Sequence, residues 1–249
     1  MIRIRNLVGV LVMALALTAC GGPPSGSATY SAVPPPPSPD PYTSALIMTK
    51  TWAAAEIETT VDSSIEGEVS SLRGVGEVAI DKGYGDIEWS GSDSAFRELV
   101  NDRAIFTKAE GPGMLWVRTE SQGRTATSAF TDPLVNLTRV DSVSRDGEEQ
   151  MDGFTAERYR GTLPVTAQNL EGLALTDAEI AELVAAAGPE DSVLVEVWAD
   201  PNHRLVRIDR SLKLSGTVDA DVHASSHLFN FGVMLDLAPP PSASVSVPQ

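Results

Sequence analysis

The 249-residue chain carries 18 basic and 34 acidic residues, a formal charge of -16, and one cysteine. That charge disfavours nucleic acid, which is bound by neutralising phosphates, and it excludes an electrostatic anchor on anionic headgroups. A single cysteine leaves no disulfide within the chain, so stability must come from an apolar core, for which roughly 200 structured residues suffice.

Arg3 and Arg5 precede the apolar run from Leu7 to Leu17, which leads into Leu17-Thr18-Ala19-Cys20. A charged start, a short apolar core and small residues describe a secretory signal. The run is well short of the roughly 20 residues that span a bilayer. Leu17-Thr18-Ala19-Cys20 resembles a bacterial lipobox. The resemblance implies that residues 1–19 are removed and that Cys20 is the lipid attachment site, carrying acyl chains such as palmitate. Two acyl chains are enough for stable anchoring. The exported chain then holds 16 basic against 34 acidic residues, or -18, and sits on the extracytoplasmic side of the cell membrane.

Residues 20–42 read as the lipidated cysteine and a linker, with eight prolines between positions 21 and 42. Such a composition favours extended polyproline II and acts as a semi-rigid spacer. A domain is expected over 43–238. Residues 239–249, opening on Pro239-Pro240-Pro241, read as a disordered Pro/Ser tail.

Ala45, Leu46, Trp52, Ala53, Ala54, Ala55 and Ile57 predict a helix from 43 to about 61, capped by Thr43 or Ser44. The period then changes to two. Gly74-Val75-Gly76-Glu77-Val78-Ala79-Ile80-Asp81 is a strand, Lys82-Gly83 a hairpin turn, and Tyr84 to Trp89 a strand with Ile87 and Trp89 on one face. Ala95–Val100, Ala104–Lys108 and Met114–Thr119 continue an antiparallel meander. Asp132-Pro133 predicts the start of a helix with Leu134, Leu137 and Val140 as its apolar face. A strand beginning near Ser142 and another from Phe154 to Leu163 follow. Thr176-Asp177-Ala178-Glu179 is a capping box, with Ile180, Leu183 and Val184 at helical spacing behind it. Strands Val193–Ala199, Leu205–Leu214 and Thr217–Ala224 close the pattern. The result is an α+β fold: a curved antiparallel half-barrel of ten or eleven strands wrapped over three helices.

Catalytic chemistry finds little support, and the chain reads as a non-enzyme without cofactor. There is no G-x-S-x-G, and the sole cysteine is assigned to lipid. Asp219, Asp221, His223 and His227 alternate along one strand face. Residues two apart on a strand are about 6–7 Å from each other, too far to share one ion, so no metal is assigned. Asn136-Leu137-Thr138 matches a glycosylation sequon, which carries no weight in a bacterial lipoprotein.

Several segments resemble the actinobacterial LppX/LprG lipoprotein family, whose fold is similar to the periplasmic carrier LolA. They are the glycine-led strand Gly74 to Asp81, Asp132-Pro133 with the helix expected after it, and the stretch Met151 to Thr162. Val195-Glu196-Val197-Trp198-Ala199-Asp200 with Leu205 to Ile208, and Leu228-Phe229-Asn230-Phe231-Gly232 with Pro239, complete the likeness over roughly residues 45–240. The family commonly has His before the strand tyrosine, where this chain has Arg158. The resemblance implies a lipid or glycolipid ligand held between sheet and helices, with Leu134, Leu137, Ile180, Leu183, Val184 and Trp198 as lining positions. An enclosed cavity of several hundred Å3 fits that reading. A packed interior with an exposed apolar groove fits the alternative, an envelope protein-interaction or sensor domain without lipid cargo.

Overall fold

The computed structural model describes residues 39–92, 94–102, 104–120, 127–151 and 153–246. Cys20, the signal segment and most of the linker lie outside the described residues.

Two α-helices and twelve strands make up the described part: α1 (Pro41–Lys50), β1 (Ala55–Ile65), β2 (Glu68–Ala79), β3 (Tyr84–Gly91), β4 (Ala95–Val100), β5 (Ala104–Ala109), β6 (Trp116–Glu120), β7 (Asp141–Met151), β8 (Phe154–Pro164), α2 (Asp177–Ala186), β9 (Ser192–Ala199), β10 (Leu205–Leu214), β11 (Ala220–Phe229) and β12 (Val245–Ser246). They form one sheet in the order β12-β6-β5-β4-β3-β2-β1-β11-β10-β9-β8-β7. The first and last long strands meet in its middle, where β1 pairs with both β2 and β11. All pairings are antiparallel except β12 with β6.

Alternation assigns one face of this sheet to the core. Ala55, Ile57 and Val61 of β1, Ile87 and Trp89 of β3, Val193, Val195 and Val197 of β9, and Val222, Ala224 and Leu228 of β11 all join one buried cluster. The helices and short 3-10 turns supply its other half through Ala45, Leu46, Phe130, Leu134, Leu137, Leu170, Leu173 and Leu183. Burial at roughly 25 cal/mol per Å2 over such a cluster is the main force holding helices to sheet.

The helix expected over 43–61 is shorter and starts earlier. Asp40 caps it, accepting from Thr43 N at 2.9 Å, and Pro41 takes the first turn. From residue 55 the same alanine-rich stretch is strand. Ala55, Ile57, Thr59 and Val61 are buried and alternate with more exposed residues, so pairing on both sides overrides helix propensity. The helix expected after Asp132-Pro133 does not form. Its place is taken by successive i to i+3 bonds, Val135 N to Asp132 O, Leu137 N to Leu134 O and Arg139 N to Asn136 O. Asn136 at φ 62 interrupts any continuous helix. The capping box does form: Thr176 Oγ1 accepts from Glu179 N, and Glu179 accepts from Thr176 N at 2.7 Å. The last long strand begins at Ala220 and reaches Phe229, further than the expected Ala224.

Residues 239–246 also differ from the expected tail. Ser242–Ser244 form a 3-10 turn, and Val245 and Ser246 pair with Trp116 and Val117. Val245 packs on the small cluster of Leu99, Ala104 and Phe106, which gives this short segment apolar contacts of its own.

Two features of the core were not expected. Gly74 and Gly76 are spacers: a Cβ on Gly74 would lie 2.8 Å from the Trp89 ring, and one on Gly76 only 2.1 Å from Asp86 O. Arg210 faces inward from β10 at 2% exposure, with Nη2 donating to Pro133 O and Val135 O, both at 3.0 Å.

Candidate functional site

The candidate site is an apolar groove of about 540 Å3 at the edge of the layered core. One wall is α1. Its Tyr42, Ala45, Leu46 and Thr49 turn toward the sheet, and Thr49 Oγ1 ties the helix down by accepting from Leu205 N at 2.7 Å. The opposite wall is Val140, just before β7, Val143 near the start of β7, and Tyr159 on the covered face of β8. The Tyr42 and Tyr159 rings lie 6.2 Å apart at 56° and form an aromatic floor. Leu46 and Ile47 complete the apolar lining, while Asp40, Thr43, Lys50, Thr138 and Arg145 ring the mouth.

Both tyrosine hydroxyls are committed. Tyr42 donates to Leu137 O at 2.7 Å, and Tyr159 donates to Glu157 Oε2 at 2.6 Å. Burial is the main reason that both phenols hold their protons above the ordinary range, Tyr159 to about 12. Arg145 is also engaged, with Glu148 at 2.5 Å and Glu157 at 3.1 Å. Lys50 has no ion pair among the described residues, so it is the uncommitted cation at the mouth. The arrangement offers dispersion contacts to an apolar chain and one positive charge, Lys50, beside the opening. No nucleophile with a partnering base lines it.

None of the six expected lining residues lines this groove. Leu134, Leu137 and Leu183 are buried within the main core, at 5%, 0% and 0% exposure. Ile180 packs against that core, and Val184 is 37% exposed on α2. Trp198 lies on the other face of the sheet. Val193, Val195 and Val197 take the covered side of β9, so Trp198 must point away. There it packs with Ala156 and Val206, donates to Glu149 Oε2 at 2.8 Å, and carries the Arg207 guanidinium 4.6 Å from its ring. The alternation of Val193-Leu194-Val195-Glu196-Val197-Trp198 contained this signal. Groove residues Tyr42, Ile47, Lys50, Val143 and Arg145 had none, since their meeting depends on where α1 ends. Tyr159 did: it shares inward parity with Gly161 and Leu163.

The Asp219, Asp221 and His223 face is on the solvent side, with Asp221 3.5 Å from Lys213. Among the described residues no group of three or more His, Cys, Asp or Glu side chains is arranged to hold a metal. A polar groove of about 490 Å3 on that side includes Glu58, Glu149, Arg207 and His227. Its main charges are already matched, Arg207 with Asp209 at 2.6 Å and Glu58 with Arg73 at 2.6 Å.

No family model and no curated protein sequence matches this chain. Among solved structures it is similar to LprF from Mycobacterium bovis, with 15% identity over 82% of this chain and 98% of that one and a TM-score of 0.47. LppX from Mycobacterium tuberculosis is similar at 14% identity over 80% and 96%, with a TM-score of 0.44. A LolA superfamily protein from Nitrosomonas europaea is similar at 9% identity over 81% and 96%, with a TM-score of 0.27. The solved structures to which this chain is similar thus include the LppX-type and LolA-like proteins that its sequence motifs resemble.

Proposed function

We propose that this protein is a non-enzymatic lipoprotein, anchored through acyl chains on Cys20 to the outer side of the cell membrane, that holds an acylated hydrophobic molecule in the groove between α1 and β7–β8. The observation that carries the reading is the groove itself, about 540 Å3 lined by Leu46, Ile47, Val140, Val143 and two tyrosine rings. Its volume falls within the range of about 300–1,000 Å3 that small-molecule sites occupy. Each methylene taken from water contributes about 0.8 kcal/mol, so ten would contribute about 8 kcal/mol before ordering costs. Those costs fall on a flexible chain, and a preformed apolar wall keeps them low. The lipobox and the family resemblance support the same reading. The ligand site lies at the rim of the layers, rather than among Leu134, Leu137 and Leu183.

A second reading, an envelope interaction domain without lipid cargo, fits a packed core whose apolar space lies at its edge as a groove rather than as an enclosed cavity. The groove opens beside β7, a strand paired on one side only, so an apolar peptide segment is the competing occupant. A photoactivatable palmitate analogue separates the two. Labelling should fall on peptides containing residues 41–50, 138–145 and 159. Val143→Asp, which sets a carboxylate in the wall, should lower it at least about tenfold, equivalent to 1.4 kcal/mol. Labelling spread over the surface and unchanged in Val143→Asp would remove the lipid reading and leave the peptide reading.

A further inference from the structure

The outward side of α1 carries two exposed apolar residues, Ile47 and Met48, flanking Ser44. Ile47 is 55% exposed and Met48 41% exposed, on the two flanks of that outward side, the helix crown, about 100° apart around the axis, and Lys50 stands one turn from Ile47 without an ion pair among the described residues. Single exposed apolar residues are common and need no explanation. Three circumstances set this pair apart. Ile47 and Lys50 are also at the mouth of the apolar groove, so the crown and the groove form one continuous surface. The crown is acid-poor in an acid-rich chain: residues 39–55 contain one acid, Asp40, and one base, Lys50. And α1 is the first element after the tether. Eighteen residues separate Cys20 from Pro39, a span of at most about 55 Å if fully extended as polyproline II.

We propose that the crown of α1 docks on the surface of the bilayer that holds Cys20, with Ile47 and Met48 at the headgroup–acyl boundary and Lys50 among the phosphates. The proposal rests on the reading of Cys20 as a lipid anchor. Tethering turns docking into an intramolecular event at high effective concentration, so a contact too weak to recruit a free domain is occupied. Apolar insertion and one local cation favour contact. The acidic remainder of the chain opposes a deeper approach and fixes which side faces the lipid. In this orientation the groove opens onto the membrane, and an acylated molecule passes between the two without crossing water.

The acylated full-length chain, reconstituted in phosphatidylcholine vesicles, provides the test. Cys20 is the only cysteine and its thiol is consumed by lipid, so Met48→Cys offers one site for a polarity-sensitive probe. Val69→Cys, at a position 79% exposed near the turn between β1 and β2, serves as the reference. The probe at 48 should emit further to the blue and be quenched several-fold more by nitroxide-labelled lipid than the probe at 69. Combining Met48→Cys with Val143→Asp should leave that signal unchanged even where cargo binding is lost, which separates docking from the lipid-carrying function. Equal quenching at 48 and 69 in chains that still float with the vesicles overturns docking alone. A blue-shifted probe at 48 that lipid nitroxide does not quench shows that protein covers the crown, and overturns it too. A chain that does not float overturns the anchor and docking together.

Discussion

Tyr42 and Tyr159 hold the groove floor through neutral hydroxyls, and their ionisation reports on it. Burial is the first cause of both raised pKa values; the hydrogen bond and negative charge of Glu157 add to that of Tyr159, while Arg210 partly opposes that of Tyr42. The ordinary phenol pKa is about 10. Folded Tyr159 keeps its proton to about 12, so between those values the folded state binds more protons than the unfolded one. The resulting stability is complete below pH 10 and is lost as pH rises through 12. Arg210, lowered by burial to about 10, acts with the opposite sign: its unfolded state holds the extra proton above that pH. An ultraviolet titration of tyrosinate should therefore show a late phase from Tyr42 and Tyr159. Tyr159→Phe should remove part of that late phase. A single transition near pH 10 for the folded protein would show that the floor is open to water. Arg210 shares the parity of Ile208 and Leu212 along β10. Its acceptors were not legible, because they are carbonyls of a segment expected to be helical.

At the scale of elements, the alternating strands were legible and the alanine-rich and proline-led segments were not. Hairpins such as β2–β3 and β9–β10 announce themselves through local turns and period two, so their faces follow from the residues alone. Whether Ala53-Ala54-Ala55 continues a helix depends on partners far away, Val78 and Phe229 among them, and no local property contains that. The glycine-led strand illustrates the difference. Gly74 and Gly76 mark strand entry in sequence, yet the structure uses them to admit the Trp89 ring and the β3 backbone. Gly76→Ala should then cost about 3 kcal/mol, at the upper end of overpacking, since the obstacle is backbone rather than a movable side chain. Thr176→Ala, which removes one cap from an exposed helix start, should cost about 1 kcal/mol. Urea unfolding midpoints of the two variants check the order, and a Gly76→Ala variant as stable as the parent would contradict the spacer role.

For the whole molecule, the layer architecture is written in the sequence, and the place where a groove forms is not. The alternation of apolar faces is a local pattern. A groove is a shape left between elements, set by the length of α1, the bend of the chain through Asn136 and the register of β7 on β8. The lining positions that the family resemblance implies include Leu134, Leu137 and Leu183, and strongly apolar positions of this kind are what a folded core consumes. Leu137 and Leu183 are fully buried in that core, while Ile47 and Val143 remain at the groove. Whether this groove holds an acylated molecule is read from native mass spectrometry of the Cys20→Ser chain, purified from an actinobacterial host without added lipid. The expected result is a protein species carrying one lipid, whose acyl chains are recovered on extraction and whose occupancy falls sharply in Val143→Asp. A bare protein mass that takes up no added lipid would contradict it.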